Sequence, residues 1–533
     1  MKNKVNRAFM AKTKLHYIFV LAVASLLATG CSDNYLTQEP GGSTITEEQF
    51  LRMDNLVEGT VKGVYTLLYP YGGDHDLFGQ RSFDMYGDLL CGDMALATRN
   101  YGWFATDELG QTYTRRGDFW VYYYDFIRAC NRTINAMDKQ GHPALVFSAD
   151  TLTDEQYITG YYYAELLTMR GWAYAGLSRY FVATDAAPSA LSVPIYTEAD
   201  TEADTIIGGP RATTADLYQR IEDDLDLAIQ YFEAYNLADR GSKIEANIDI
   251  ARVLLAYSYL NKGDYTNALK WAKEAITKGN PVILPQAQVL TTGFNNVENA
   301  NWIWGENVTV ENTTSLASFF GQCDIYSYSY ASAGDVKGID QILYDAIEAW
   351  DIRKGWWNNY AQSGKANASR FKYAPDGKFY SATSKTIQGD RDWLSDNVYM
   401  RWELPYLIAA EAAVRDNNIA DAQTYLFAIT DNRVISGEEA TYATWKAGLT
   451  DQTSLLAAIR YNWRIELWGE GYGLQTFRRF GEAVTLGDNH LRSTKTISPG
   501  TARVFTFEIP TSEEYYNPFI RLADTKELHK KID

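Results

Sequence analysis

The chain has 533 residues, 46% of them hydrophobic, which is enough to bury a large core and too apolar for a disordered chain. Its formal net charge of −18 repels phosphate backbones, so no nucleic acid is expected as a partner. Aromatic residues make up 14%, with 39 Tyr and 14 Trp, and flat faces with a polar edge suit helix packing and sugar rings alike.

The first thirty residues read as a targeting segment. Lys2, Lys4, Arg7, Lys12 and Lys14 precede an apolar run from Tyr17 to Leu27, too short to span a bilayer. It ends Leu27-Ala28-Thr29-Gly30-Cys31, which resembles a lipobox, with Ala28 where the strictest form has leucine. Residues 1–30 are therefore expected to be a lipoprotein signal peptide, with Cys31 as the lipid anchor that ties the protein to a membrane. Cys91, Cys130 and Cys323 lack C-x-x-C spacing and are expected to be buried thiols; with 5 His in the chain they argue no zinc site, and no cofactor is expected.

Beyond the anchor most segments carry the helical period. Thr46-Glu47-Glu48-Gln49 is a capping box that opens an apolar series through Phe50, Met53, Val57, Val61, Val64 and Leu68, predicting a helix over about 46–68. Further helical segments are expected over 119–138, 153–181, 213–278, 399–434 and 453–480. Within the third of these, Gly263, Tyr265, Ala268 and Ala275 fall as in a tetratricopeptide hairpin, where small residues let two antiparallel helices approach. Tyr399 to Val414 and Asp421 to Val434 form a weaker second hairpin rich in alanine. Pro188 to Arg211 reads as a plain surface connection. Residues 69–118 and 280–398, rich in Gly, Asp, Asn, Ser and aromatics, interrupt the pattern, and loops of that length in a compact protein usually carry function. The expected fold is mostly α: a tetratricopeptide-like helical-repeat scaffold with long irregular loops and a few short strands, residues 31–533 forming one folded unit.

Several motifs, in order along the chain, resemble the SusD/RagB family. Tyr122 to Asn131 is similar to its aromatic helix ending in Ala-x-Asn, and Ala164-Glu165 with Arg170 and Tyr174 to its Ala-Glu-x-x-x-x-Arg-x-x-x-Tyr helix. Asp351-Ile352-Arg353 and Arg401-Trp402-Glu403 with Ala410-Glu411-Ala412 follow. The most specific pieces are Arg464-Ile465-Glu466-Leu467-Trp468-Gly469-Glu470-Gly471 and Ile509-Pro510 with Glu513 and Asn517-Pro518. Gly473 stands where the family often has arginine and Thr476 where it often has aspartate, which puts a local ion pair in doubt. The resemblance implies a non-catalytic, surface-exposed outer-membrane lipoprotein that captures an oligosaccharide or polysaccharide and delivers it to a SusC-like TonB-dependent transporter.

A sugar ring stacks its C–H face on Trp or Tyr and needs polar partners at its edges. Tyr101 and Trp103 share a face if extended, with Asp74, Asp76, Arg81 and Asn100 near in sequence to bond hydroxyls. Tyr326, Tyr328 and Tyr330 alternate in the second irregular region, and Trp356-Trp357 is a third candidate. Trp302 and Trp304 match a short strand, and at least one is expected in the core. The binding set is thus Asp76, Arg81, Tyr101, Trp103, Trp304, Tyr326, Tyr328 and Trp356, with packing as the alternative use of each aromatic. No G-x-S-x-G, H-E-x-x-H or P-loop is present, and no metal site is expected. Glu466 and Glu470 are conceivable as a glycosidase pair, but Arg464 and Arg478 nearby favour ion pairing. The alternatives to glycan capture are a peptide-binding or assembly protein on the same scaffold, or a glycoside hydrolase.

Overall fold

The computed structural model describes residues 56–520, apart from 99, 105–114, 140, 142–153, 184–185, 202–207, 235–241, 315, 382–384, 390, 392, 492–494 and 499–505. Val57–Asp533 form one compact unit, and Met1–Leu56 form another of which Leu56 alone is described. The capping box at 46–49 and the expected anchor Cys31 lie outside the described residues.

Helices dominate. In chain order they are α1 (Leu56–Tyr65), α2 (Gln80–Cys91), α3 (Arg116–Lys139), α4 (Asp154–Phe181), α5 (Thr214–Ala234), α6 (Ile248–Lys262), α7 (Tyr265–Lys278), α8 (Phe319–Cys323), α9 (Tyr330–Ala333), α10 (Gln341–Asp345), α11 (Glu403–Arg415), α12 (Ile419–Thr430), α13 (Glu439–Ala447), α14 (Gln452–Glu466), α15 (Gly473–Phe480) and α16 (Thr511–Tyr516). In the series α3, α4, α5, α6, α7, α11 and α12, each helix packs mainly on its neighbours in that order, which is the nearest-neighbour stacking of a helical repeat protein. The hairpin α6–α7 shows why. Asn247 caps α6 by accepting from the amides of Asp249 and Ile250. Gly263 closes the turn in the left-handed region at φ 88°, where a Cβ would be strained. Asp264 then caps α7 through the Asn267 amide. Ala268, Ala272 and Ala275 are fully buried, so α7 lies close to both α6 and α11.

Four antiparallel two-stranded ribbons are present among the described residues. Strands β1 (Met94–Leu96) and β5 (Lys337–Ile339) pair, as do β2 (Leu191–Pro194) with β3 (Arg211–Thr213), β4 (Trp302–Glu306) with β6 (Asn397–Arg401), and β7 (Val484–Thr485) with β8 (Thr496–Ile497). Two of them change the reading from sequence. Residues 188–211 are not a plain connection, since they contribute β2 and the start of β3. Residues 399–401 belong to β6, not to a helix: Trp302 faces Arg401, and Tyr399 packs edge-on against Trp304 with ring centroids 5.2 Å apart. Nor is 69–118 wholly irregular. It holds α2, all twelve of whose residues are buried, with Gln80, Asp84 and Asp88 of its polar face bonded inside the protein.

One large apolar core joins the helices to the strands. A smaller cluster of Ile325, Tyr326, Ala331, Val336, Phe371, Ala374 and Tyr380 ties 325–336 to 371–380. Cys91, Cys130 and Cys323 are buried free thiols. No helix among the described residues is long and apolar enough to cross a membrane.

Candidate functional site

Glu466 and Glu470 are sealed inside the core. Glu466 accepts from Arg401, Arg433 and Arg353, and Glu470 from Arg401 and Lys378. Burial alone would raise both carboxyls; Arg433, Arg401 and Arg353 override it for Glu466 and hold it well below the usual range. The cations that pair them therefore come from distant segments. Arg464 bonds Asp93 instead, and Arg478 bonds the carbonyls of Arg179 and Val182. A carboxylate with this many charged partners and no solvent has no proton to trade with a sugar.

Three of the sequence-derived binding candidates are buried in the same way. Arg81 bonds Asp84 and the Gly469 carbonyl at 2.6 Å, with its guanidinium 3.9 Å above the Phe319 ring. Trp356 donates to the Val289 carbonyl beneath Lys378. Trp304 packs on Trp172 and Tyr399, in the wall of an enclosed cavity that Gln80, Asp84 and Tyr257 also line. None of the three has a face toward a surface ligand, so packing is their use. Tyr326 is also buried and serves the small cluster under the loops.

Tyr101 and Trp103 converge on one surface with His75 and Tyr330. Tyr101, 57% exposed, meets Tyr330 edge-on at 5.1 Å. The half-buried Trp103 ring lies 4.8 Å from the His75 ring and 6.4 Å from Tyr330. His75 and Tyr330 close the group, with centroids 5.2 Å apart and 2.9 Å between the Tyr330 hydroxyl and His75 Nδ1. Burial raises the Tyr330 hydroxyl above its usual range. The surface is thus four aromatic rings from segments more than 200 residues apart. Tyr328 extends it along the chain, 42% exposed and covered by Arg391.

Polar groups hold these rings. The buried Asp335 carboxylate accepts the backbone amides of Asn100 and Tyr101, fixing the Tyr101 segment to the end of α9. Ser329 caps α9 in a capping box with Ser332. Gln322 donates to the His75 carbonyl at 2.7 Å and accepts from Lys337; burial pulls the Lys337 ammonium down to about 8. On the His75 side, Arg115 bridges Asp74 at 2.8 Å and Asp76 at 2.6 Å, and Tyr86 donates to Asp76. Asp76 is buried and acts as a support, while Asp74 is partly open. His75 was not among the residues read from sequence, because one histidine in a Gly/Asp-rich stretch has no pattern. Tyr330 was visible in the alternation with Tyr326 and Tyr328. Among the described residues no cluster of His, Cys, Asp and Glu is arranged to hold a metal ion.

Residues 34–255 match a SusD-like family model described as starch-binding, associating with the outer membrane. A SusD-like protein of Bacteroides ovatus is 26% identical over 263 residues, 49% of this chain and 41% of that relative, so the alignment spans less than half of its length. Among solved structures, a SusD-like carbohydrate binding protein from Bacteroides vulgatus superposes with a TM-score of 0.70 at 22% identity, over 88% of this chain and 98% of that one. A SusD superfamily protein from Bacteroides thetaiotaomicron gives 0.68 at 20% identity, over 88% and 99%. Residues 34–255 are thus similar to the SusD-like family, and the chain shares the fold of these solved structures.

Proposed function

We propose that this chain is a SusD-like, surface-exposed outer-membrane lipoprotein, anchored through Cys31, that captures an oligosaccharide and delivers it to a SusC-like TonB-dependent transporter without chemical change. The observation that carries the capture step is the exposed group of Tyr101, Trp103, His75 and Tyr330, mounted on irregular segments that a helical scaffold holds in place. Aromatic faces stack on the C–H side of sugar rings, and Asn100, Asp74 and the Tyr330 hydroxyl stand at the edges to bond hydroxyls. The family description and the carbohydrate-binding name of the Bacteroides vulgatus protein support the same reading.

Isothermal titration of the full-length protein in mild detergent against a panel of polysaccharides and their oligosaccharides tests it. One glycan class should give saturable heat, and Trp103→Ala should weaken it roughly three- to tenfold, the value of one aromatic contact. Saturable heat from peptides alone would refute the reading. The delivery step is checked by co-purification with a transporter under the same detergent.

A further inference from the structure

Resting on the glycan-binding reading above, we infer that the saccharide taken by this platform is acidic, carrying carboxylate or sulfate groups. The reason is a local reversal of charge. Residues 355–389 contain Lys365, Arg370, Lys372, Lys378 and Lys385 against a single acid, Asp376, and Arg391 follows between Asp390 and Asp392, in a chain whose net charge is −18. Lys378 is buried in the core, and Asp376 is buried and used by Asn359 and Tyr360. The other four cations are exposed, as is Arg391, and none of the five forms an ion pair among the described residues. Several exposed cations elsewhere are neutralised, Lys62 by Glu58, Arg128 by Asp125 and Lys278 by Glu274.

These cations follow the alternating tyrosines. Lys385 Nζ lies 3.7 Å from the Tyr380 ring, which meets Tyr326 edge-on. Arg391 lies 4.2 Å above Tyr328. Arg370 donates to the Ala333 carbonyl, which also accepts from Asn100, the residue before Tyr101 in the platform. A cation resting on a ring keeps outward N–H groups for an anion, and guanidinium groups fit the paired oxygens of carboxylate and sulfate. The chain's overall field repels an anionic glycan, so its capture needs a local band of opposite sign, and this band supplies one. The charge is one-sided. At the opposite edge Asp74, held by Arg115, offers an acceptor to hydroxyls, so the acidic groups of the glycan lie toward Arg370 and Arg391.

The test titrates the full-length protein in mild detergent with matched probes: polygalacturonate oligomers and their carboxyl-reduced forms, a sulfated glycosaminoglycan oligomer and its desulfated form, and a neutral glucan. One acidic probe should bind, lose about tenfold or more on neutralisation of its acid, and weaken with added salt. The reduced and desulfated arms tell carboxylate from sulfate. The double variant Arg370→Ala, Arg391→Ala should weaken the acidic probe about tenfold and leave the melting temperature unchanged. Equal or tighter binding of a neutral glycan, insensitive to salt and to the double variant, overturns the acidic specificity and leaves glycan capture standing. Absence of binding to every probe overturns both.

Discussion

Glu466→Gln is the substitution whose effect the structure fixes most closely. Four buried cations, Arg353, Arg401, Arg433 and Lys378, face four buried acids, Asp351, Glu403, Glu466 and Glu470. Glu466 is shared by three of the cations: Oε1 is 3.1 Å from Arg401 and 2.9 Å from Arg433, and Oε2 is 2.9 Å from Arg353 and 3.0 Å from Arg433. The amide keeps the shape but leaves one positive charge unbalanced and turns an N–H₂ group toward guanidinium groups that can accept nothing. Breaking one buried pair typically costs about 3–5 kcal/mol, and three coupled partners place this change near the upper end. That is a large part of a stability of about 5–15 kcal/mol. The measurement is urea unfolding followed by tryptophan fluorescence, since Trp463 and Trp468 border the network. A loss below about 1 kcal/mol at unchanged m-value would refute the argument. The pH profile gives a second reading. The folded carboxyl is depressed, so its contribution is complete above the unfolded value near 4.3 and is lost as pH falls through the folded value. Glu466→Gln should remove that acid-side slope.

Leu255 is fully buried in α6, and Leu255→Asp should cost several kcal/mol by burying an unpaired charge; a near-normal melting curve would count against the repeat packing. Glu306 runs the opposite way from Glu466, because burial first and Asp396 second raise its carboxyl to about 8. Its folded value lies above the unfolded one, so stability should decline as pH rises from about 4 to 8, and Glu306→Gln should flatten that decline in a series of melts. At Gly473 a Cβ would stand 2.7 Å from Asp88 Oδ1 and 2.8 Å from Cys91 Sγ, so Gly473→Ala should destabilise by about 1–3 kcal/mol through overpacking, measured by the same unfolding assay.

Gly473 also shows what the sequence could and could not convey. Its departure from the family pattern was visible, and it put a local ion pair in doubt. The structure supplies the replacement: α2 presses against this turn, and Asp88 accepts the amides of Gly471 and Gly473. The repeat hairpins were legible because capping residues, turn glycine and alanine faces act within one or two helices. The helix α2 also left a trace, Gln80, Asp84 and Asp88 at four-residue spacing, but the Gly- and Asp-rich stretch around it reads as loop. The candidate site divides along the same line. Tyr101, Trp103 and Tyr328 were nameable from local alternation. Whether Trp304, Trp356 and Arg81 faced water or core depended on contacts with segments between 67 and 388 residues away, which no local pattern encodes.

That distance explains how an irregular surface can be a specific one. A loop that binds must pay for its own ordering unless the fold has already done so. Here the platform is ordered before any ligand arrives. Asp335 pins Asn100 and Tyr101 by their amides, Gln322 holds His75 by its carbonyl, and Lys337, buried behind both, orients Gln322. None of these three supports reaches the surface, yet each helps fix the angle of a platform ring. Changing the exposed Tyr101 to alanine should weaken glycan binding with little change in melting, whereas changes in the Glu466 network should do the reverse. The scaffold and the platform then fail independently, as expected if the helical stack supplies stability and the loop supports supply preorganisation.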